Sequence, residues 1–160
     1  MFMINPFTEL SASISPAIMQ GYIILMVILV AGGTILDMLH KKSAQYFFEN
    51  AEKAFLKFRD KFQDSKLTDD ALYFIGYIQF LKGNYEKASI RFFELIEQHQ
   101  ESNRLNDSIW WLAVTLERSG DLGSAIDMYQ RLLKSNPSGN LKSSSESRIE
   151  DLKAILEKRK

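Results

Sequence analysis

Apolar residues recur along this chain in two different ways. Residues 17–36 read AIMQGYIILMVILVAGGTIL and contain no charged side chain. From residue 43 onward the apolar positions fall every three or four residues, with polar faces between them. The first pattern suits a helix surrounded by hydrocarbon, because about 20 residues at 1.5 Å each match a bilayer core of ~30 Å. The second is the period of an amphipathic helix.

The clearest amphipathic unit lies at 72–95. Leu72, Ile75, Gly76, Ile78, Gln79 and Phe80 form one stripe, Gly83-Asn84 interrupts it, and Ala88, Phe92, Leu95 and Ile96 form a second. A Gly just past a helix suits a left-handed C-terminal cap, and an Asn after it suits an N-cap. The unit therefore reads as two antiparallel helices joined by a tight turn. The same order returns at 109–132. Aligning Gly120 on Gly83 places Leu112 on Ile75, Ala113 on Gly76, Ala125 on Ala88, Tyr129 on Phe92 and Leu132 on Leu95. Gly76, Ala88, Ala113 and Ala125 let helices approach closely, and Phe92 and Tyr129 fill the space beside them.

This order of small, turn, small and bulky positions resembles the tetratricopeptide repeat (TPR) family, whose repeat is ~34 residues. Pro137 stands where that family places its closing Pro. The spacing between Gly83 and Gly120 is 37 residues, which fits an insertion around 99–103. A partial copy precedes the two units. Glu52-Lys53-Ala54 stands 34 residues before Glu86-Lys87-Ala88, and Phe58 stands 34 before Phe92. Residues 43–62 carry a helical apolar stripe of Tyr46, Phe47, Ala51, Ala54, Phe55, Phe58 and Phe62, and 51–62 look like the second helix of a degenerate repeat. Glu49 occupies the expected turn Gly, so the upstream helix either runs unbroken through Phe62 or turns near Glu49-Asn50.

The expected fold is all-α: an N-terminal single transmembrane helix followed by a short TPR-like α-solenoid with a C-terminal capping helix. Its parts are an N-terminal arm (1–16), the membrane helix (17–39), a juxtamembrane helix or degenerate half repeat (40–66), two repeats (67–102 and 103–137), and a loop with capping helix (138–160). Thr68 is the expected N-cap of the first full repeat, with Asp69-Asp70 favouring the dipole of its first turn. Residues 138–145 read as a Ser/Gly/Asn loop. Residues 146–158 read as the last helix, with Ile149, Leu152, Ile155 and Leu156 inward.

Ser15-Pro16 is a good start for the membrane helix. No basic residue precedes it and no small-residue cleavage site follows, so it reads as an uncleaved anchor. His40, Lys41 and Lys42 follow at once, which places the C-terminal domain in the cytoplasm and the N-terminus outside. Ala17 and Gly21, with Gly32 and Gly33 further along, form small faces on which such a helix packs against another.

Composition narrows the function. Lys+Arg and Asp+Glu are both 20 and no basic stripe appears, which argues against a nucleic-acid partner. Cysteine is absent, excluding disulfides and thiolate sites. The two histidines lack metal-ligand spacing, and no phosphate loop or nucleophile elbow is present. The reading is therefore not an enzyme, with no catalytic residue, metal, cofactor or small-molecule substrate.

The TPR resemblance implies a groove lined by the first helix of each repeat. On this chain its partner-binding positions are Tyr73, Tyr77, Phe80, Trp110, Val114 and Arg118, with Asp70, Leu81, Asp107 and Glu117 beside them. The function implied is a membrane-anchored protein–protein interaction module, an accessory or assembly subunit of an integral membrane complex that contacts protein partners and membrane lipid. The alternative is a receptor or co-chaperone for transient peptides or client proteins at the membrane.

Overall fold

The computed structural model describes residues 41–62 and 67–159, with six isolated positions upstream: Gln20, Gly21, Ile24, Val27, Ile28 and Gly32. The described chain forms α1 (Lys41–Lys61), α2 (Leu67–Leu81), α3 (Tyr85–Gln98), α4 (Leu105–Ser119), α5 (Leu122–Lys134) and α6 (Gly139–Glu157). Each helix packs mainly on the one before and the one after it, as in a helical solenoid.

The first turn of the solenoid is half built. Helix α1 passes through Glu49-Asn50 without a break, so the turn near Glu49-Asn50 is not made. No glycine is present there to supply a left-handed residue. Gln45 instead donates to Glu49, and Asn50 donates to the Tyr46 carbonyl, along the continuous helix. Phe48, Ala51, Phe55 and Phe58 bury one stripe against Ala71, Phe74, Ile75 and Ile78 of α2. Phe55 and Phe74 stack with centroids 5.3 Å apart. Tyr46, expected on the inner stripe, is 65% exposed and Phe48 takes that role.

The two full repeats close with the same turn. Gly83 and Gly120 have φ of +75° and +92°. Around them Gly83 N–H meets the Phe80 carbonyl and Asn84 N–H the Gln79 carbonyl, while Gly120 N–H meets Glu117 and Asp121 N–H meets Leu116. This is the Schellman pattern, which satisfies carbonyls that a helix end leaves orphaned. The caps that follow differ. Asp121 accepts from Ser124 N–H at 3.1 Å, but the Asn84 side chain does not cap α3. Its amide donates to Gln79 at 2.9 Å, because Gln79 is itself held by Glu52 of α1.

Three apolar clusters run from end to end, at α1/α2, at α3/α4/α5 and at α4/α5/α6. Tyr73 and Tyr77 join the first two, and Trp110, Leu116 and Met128 join the last two. The expected insertion lies in the 99–104 connection, where His99 reaches Asp69 at 2.8 Å and Arg104 reaches Asp70 at 2.5 Å. Thr68 is not an N-cap. It sits inside the first turn of α2 and donates to the Phe62 carbonyl at 2.6 Å, bracing α1 to α2.

Residues 139–145 are helical rather than a loop: α6 begins at Gly139. Tertiary packing overrides weak helix propensity here. Ser145 is fully buried and returns its hydroxyl to the Leu141 carbonyl, and Leu141 packs on the central cluster. Ile149 and Leu152 face inward, whereas Ile155 is 41% exposed. The expected arm (1–16) and membrane helix (17–39) lie outside the described residues, apart from the six positions named. None of the described helices is long and apolar enough to cross a membrane.

Candidate protein-interaction faces

The first helices of the repeats, α2 and α4, carry the positions expected to line a groove. Tyr73, Tyr77 and Phe80 stand four and three residues apart, so they share one face of α2. Their rings form a parallel ladder, Tyr73–Tyr77 at 6.4 Å and Tyr77–Phe80 at 6.5 Å between centroids. Trp111 of α4 closes on it edgewise, 4.7 Å from Tyr77 and 5.0 Å from Phe80. All four rings are half-buried. Burial, helped by the Asp107 carboxylate, pushes the Tyr73 phenol up to about 12, and burial raises Tyr77 as well.

The other expected groove positions divide. Trp110 turns to α5 and meets the buried Tyr129 edgewise at 5.2 Å, and Val114 packs on the cluster shared with α6. Arg118 is exposed near the end of α4. The acidic positions are engaged within the chain. Arg104 holds Asp70 and also reaches Asp107 at 3.6 Å, with its guanidinium 5.2 Å over the Tyr73 ring. Glu117 accepts from Arg148 of α6 and from the Tyr129 hydroxyl. Leu81 is half-buried against the α1/α2 cluster. The aromatic ladder therefore spans the α2–α4 seam as much as it faces outward.

Of the expected membrane-packing residues, Gly21 and Gly32 are helical, and a Cβ at either would meet nothing within 4 Å. Ala17 and Gly33 lie outside the described residues. Ile24 and Ile28, in the same stretch, are 56% and 59% exposed.

A second face lies on the opposite helices of the repeats. Between α3 and α5, floored by α4, is an open groove of about 610 Å³ lined by Ile90, Phe93, Leu112, Leu116 and Met128 with Ser89, Ser124, Glu94 and Gln98. Ile90 and Phe93 are about half exposed. They stand three residues apart and off the buried stripe of Ala88, Phe92, Leu95 and Ile96, so they share an outward face. A smaller, more polar hollow of about 270 Å³ lies on the other side of Ile90, between α1 and α3. Such apolar openings take apolar side chains of a partner. Among the described residues no group of three or more His, Asp or Glu is placed to hold a metal.

Sequence reasoning missed this groove and Trp111. The signal for the groove was available: an amphipathic helix with two large apolar residues, Ile90 and Phe93, on its polar face. Trp111 had a weaker signal, since it shares the repeat register of Phe74, an inward position.

Residues 107–139 match the tetratricopeptide repeat family. The match covers α4 from Asp107 onward, the Gly120 turn, α5 and Pro137. No curated protein matches the chain. The repeat supports a protein–protein interaction module built on TPR-type helix pairs.

Proposed function

We propose that this chain is a membrane-anchored interaction module, an accessory or assembly subunit that holds a protein partner within a membrane complex. The observation that carries the interaction is the open apolar groove between α3 and α5, with Ile90 and Phe93 uncovered beside it. Two large apolar side chains left exposed at the mouth of an apolar opening mark a place for an occupant. The half-buried ladder of Tyr73, Tyr77, Phe80 and Trp111 on the other face offers a second contact. The anchor is supported by the charge-free run at 17–36 and by the basic residues that follow it, which favour a cytoplasmic repeat domain and an external N-terminus.

The test is the native mass of the full-length chain after gentle detergent extraction from its own cells. Recovery in one large assembly with fixed companions is the expected result. Recovery alone, together with weak binding to many unrelated peptides, would instead make the chain a receptor for transient clients. Extraction without detergent would remove the anchor from the account.

A further inference from the structure

Charge around the α3–α5 groove is unevenly placed. At the N-terminal ends of the two helices stand Glu86 and Asp121, and Asp127 stands mid-way along α5, about one turn before Arg131. All three are exposed and none has a cation partner among the described residues. Along the α3 wall, Glu94 is neutralised by Arg91 at 2.7 Å. At the far end Arg131 of α5 reaches Glu97 of α3 at 2.9 Å and ties the two walls together, with Lys134 one turn beyond. Lys87 lines the separate hollow toward α1. The groove is thus apolar along its floor, acidic and open at one end, and closed by an ion pair at the other.

Resting on the interaction reading above, we propose that the occupant is an amphipathic helix of a partner protein, with apolar anchors along one face and lysine or arginine at one end. The anchors lie on Leu112, Leu116 and Met128 between Ile90 and Phe93. The basic end lies over Glu86 and Asp121, with Asp127 further along the same wall. Opposite potentials facing each other set orientation and suppress wrong partners more than they add raw affinity. A helix-in-groove contact is read through anchors three and four residues apart. A groove of about 610 Å³ has room for a few such side chains.

The experiment uses the full chain in mild detergent and two labelled synthetic helices of about 18 residues that share the same leucine face, one ending in lysines and one in glutamates. Fluorescence anisotropy is expected to show the lysine peptide binding at least about tenfold tighter than the glutamate peptide. Ile90→Ser with Phe93→Ser should abolish binding, with helical content unchanged by circular dichroism. Glu86→Lys with Asp127→Lys should erase the preference while keeping the apolar contact. Equal affinity for both peptides, or binding that survives the double Ser variant, overturns the proposal. So does a chain dimer that Phe93→Ser dissociates, or binding of phosphatidylcholine–phosphatidylserine vesicles that Phe93→Ser removes, because a second copy or lipid then covers the groove. Tighter binding of the glutamate peptide overturns it likewise, because the charge complementarity is then reversed. If neither peptide binds and the native assembly also survives the double Ser variant, the interaction reading of this face fails with it.

Discussion

Gly76 of α2 lies directly against the ring of Phe92 in α3: a Cβ at Gly76 would come within 2.9 Å of Phe92 Cε1 and 3.0 Å of Cδ1. Phe92 is fully buried, so its ring has no free direction in which to yield. Gly76→Ala should therefore destabilise the domain, even though Ala is the better helix former by about 1 kcal/mol. Overpacking a tight core costs about 1–3 kcal/mol, which leaves a net loss on the order of 1 kcal/mol. Urea unfolding of the two proteins checks it. A stabilised Gly76→Ala would mean that the α2–α3 spacing is looser than the geometry requires.

Arg104 joins four partners, Asp107 among them at 3.6 Å. It pairs with Asp70 at 2.5 Å and lies over the rings of Tyr73 and Phe74 at 5.2 and 5.5 Å. Asp70 is only 8% exposed, so Arg104→Ala leaves a nearly buried carboxylate without its cation. Breaking a fully buried pair costs about 3–5 kcal/mol, and the partial exposure of Arg104 reduces this to roughly 2. Arg104→Ala with Asp70→Asn should recover part of the loss, because the neutral amide needs no counter-charge. Failure of the second change to recover stability would show that Arg104 acts through ring packing alone.

The ladder predicts alkaline sensitivity. Tyr73 is raised to about 12 from an ordinary value of 10, first by burial, so the folded chain prefers the protonated phenol. Burial also raises Tyr77 and Tyr129. A raised folded value means that this stability is fully present below pH 10 and is lost as pH climbs toward 12. At about 1.4 kcal/mol per pH unit, Tyr73 alone accounts for a loss on the order of 3 kcal/mol once the pH passes its raised value. Unfolding curves at neutral pH and near pH 11 should separate, and Tyr73→Phe should flatten the dependence. Absorbance titration that finds every tyrosine ionising near pH 10 would contradict the burial of the ladder.

Glu117 ties α4 to α5 and α6 by accepting from the Tyr129 hydroxyl and the Arg148 guanidinium. Glu117→Ala takes the acceptor from the hydroxyl of a fully buried side chain and leaves it only Arg148, at a cost of about 1–3 kcal/mol. Arg148→Ala removes only a partly exposed cation and should cost about 1 kcal/mol or less. Chemical unfolding of both variants ranks them. The reverse order would assign the contact to α6 docking rather than to Tyr129.

Much of the repeat was legible in the residues. Gly83 and Gly120 announced the turns because a left-handed position favours glycine, and Gly76 announced a close approach because nothing larger fits beside Phe92. What the residues hid were features set by tertiary partners. Asn84 looks like a cap, but Gln79, itself held by Glu52, claims its side chain. Ser143 and Ser145 look like loop residues, but their hydroxyls bond back along α6 while Leu141 packs inward. Trp110 and Trp111 are adjacent, and only the fold decides that Trp111 joins the ladder while Trp110 turns to Tyr129. The groove was missed because the repeat pattern draws attention to α2 and α4, whereas Ile90 and Phe93 lie on the outer side of α3.

The central claim is that the outer face of α3 holds a fixed protein partner. Full-length chain and its Ile90→Ser/Phe93→Ser variant, each gently extracted from native cells, should be compared by native mass. Both substitutions lie on exposed positions, so stability should change by no more than about 0.5 kcal/mol. The account predicts that the unaltered chain migrates in one large assembly and that the variant migrates alone. If the variant stays in the same assembly, or if the unaltered chain also runs alone, the outer face of α3 is not where this protein holds a partner.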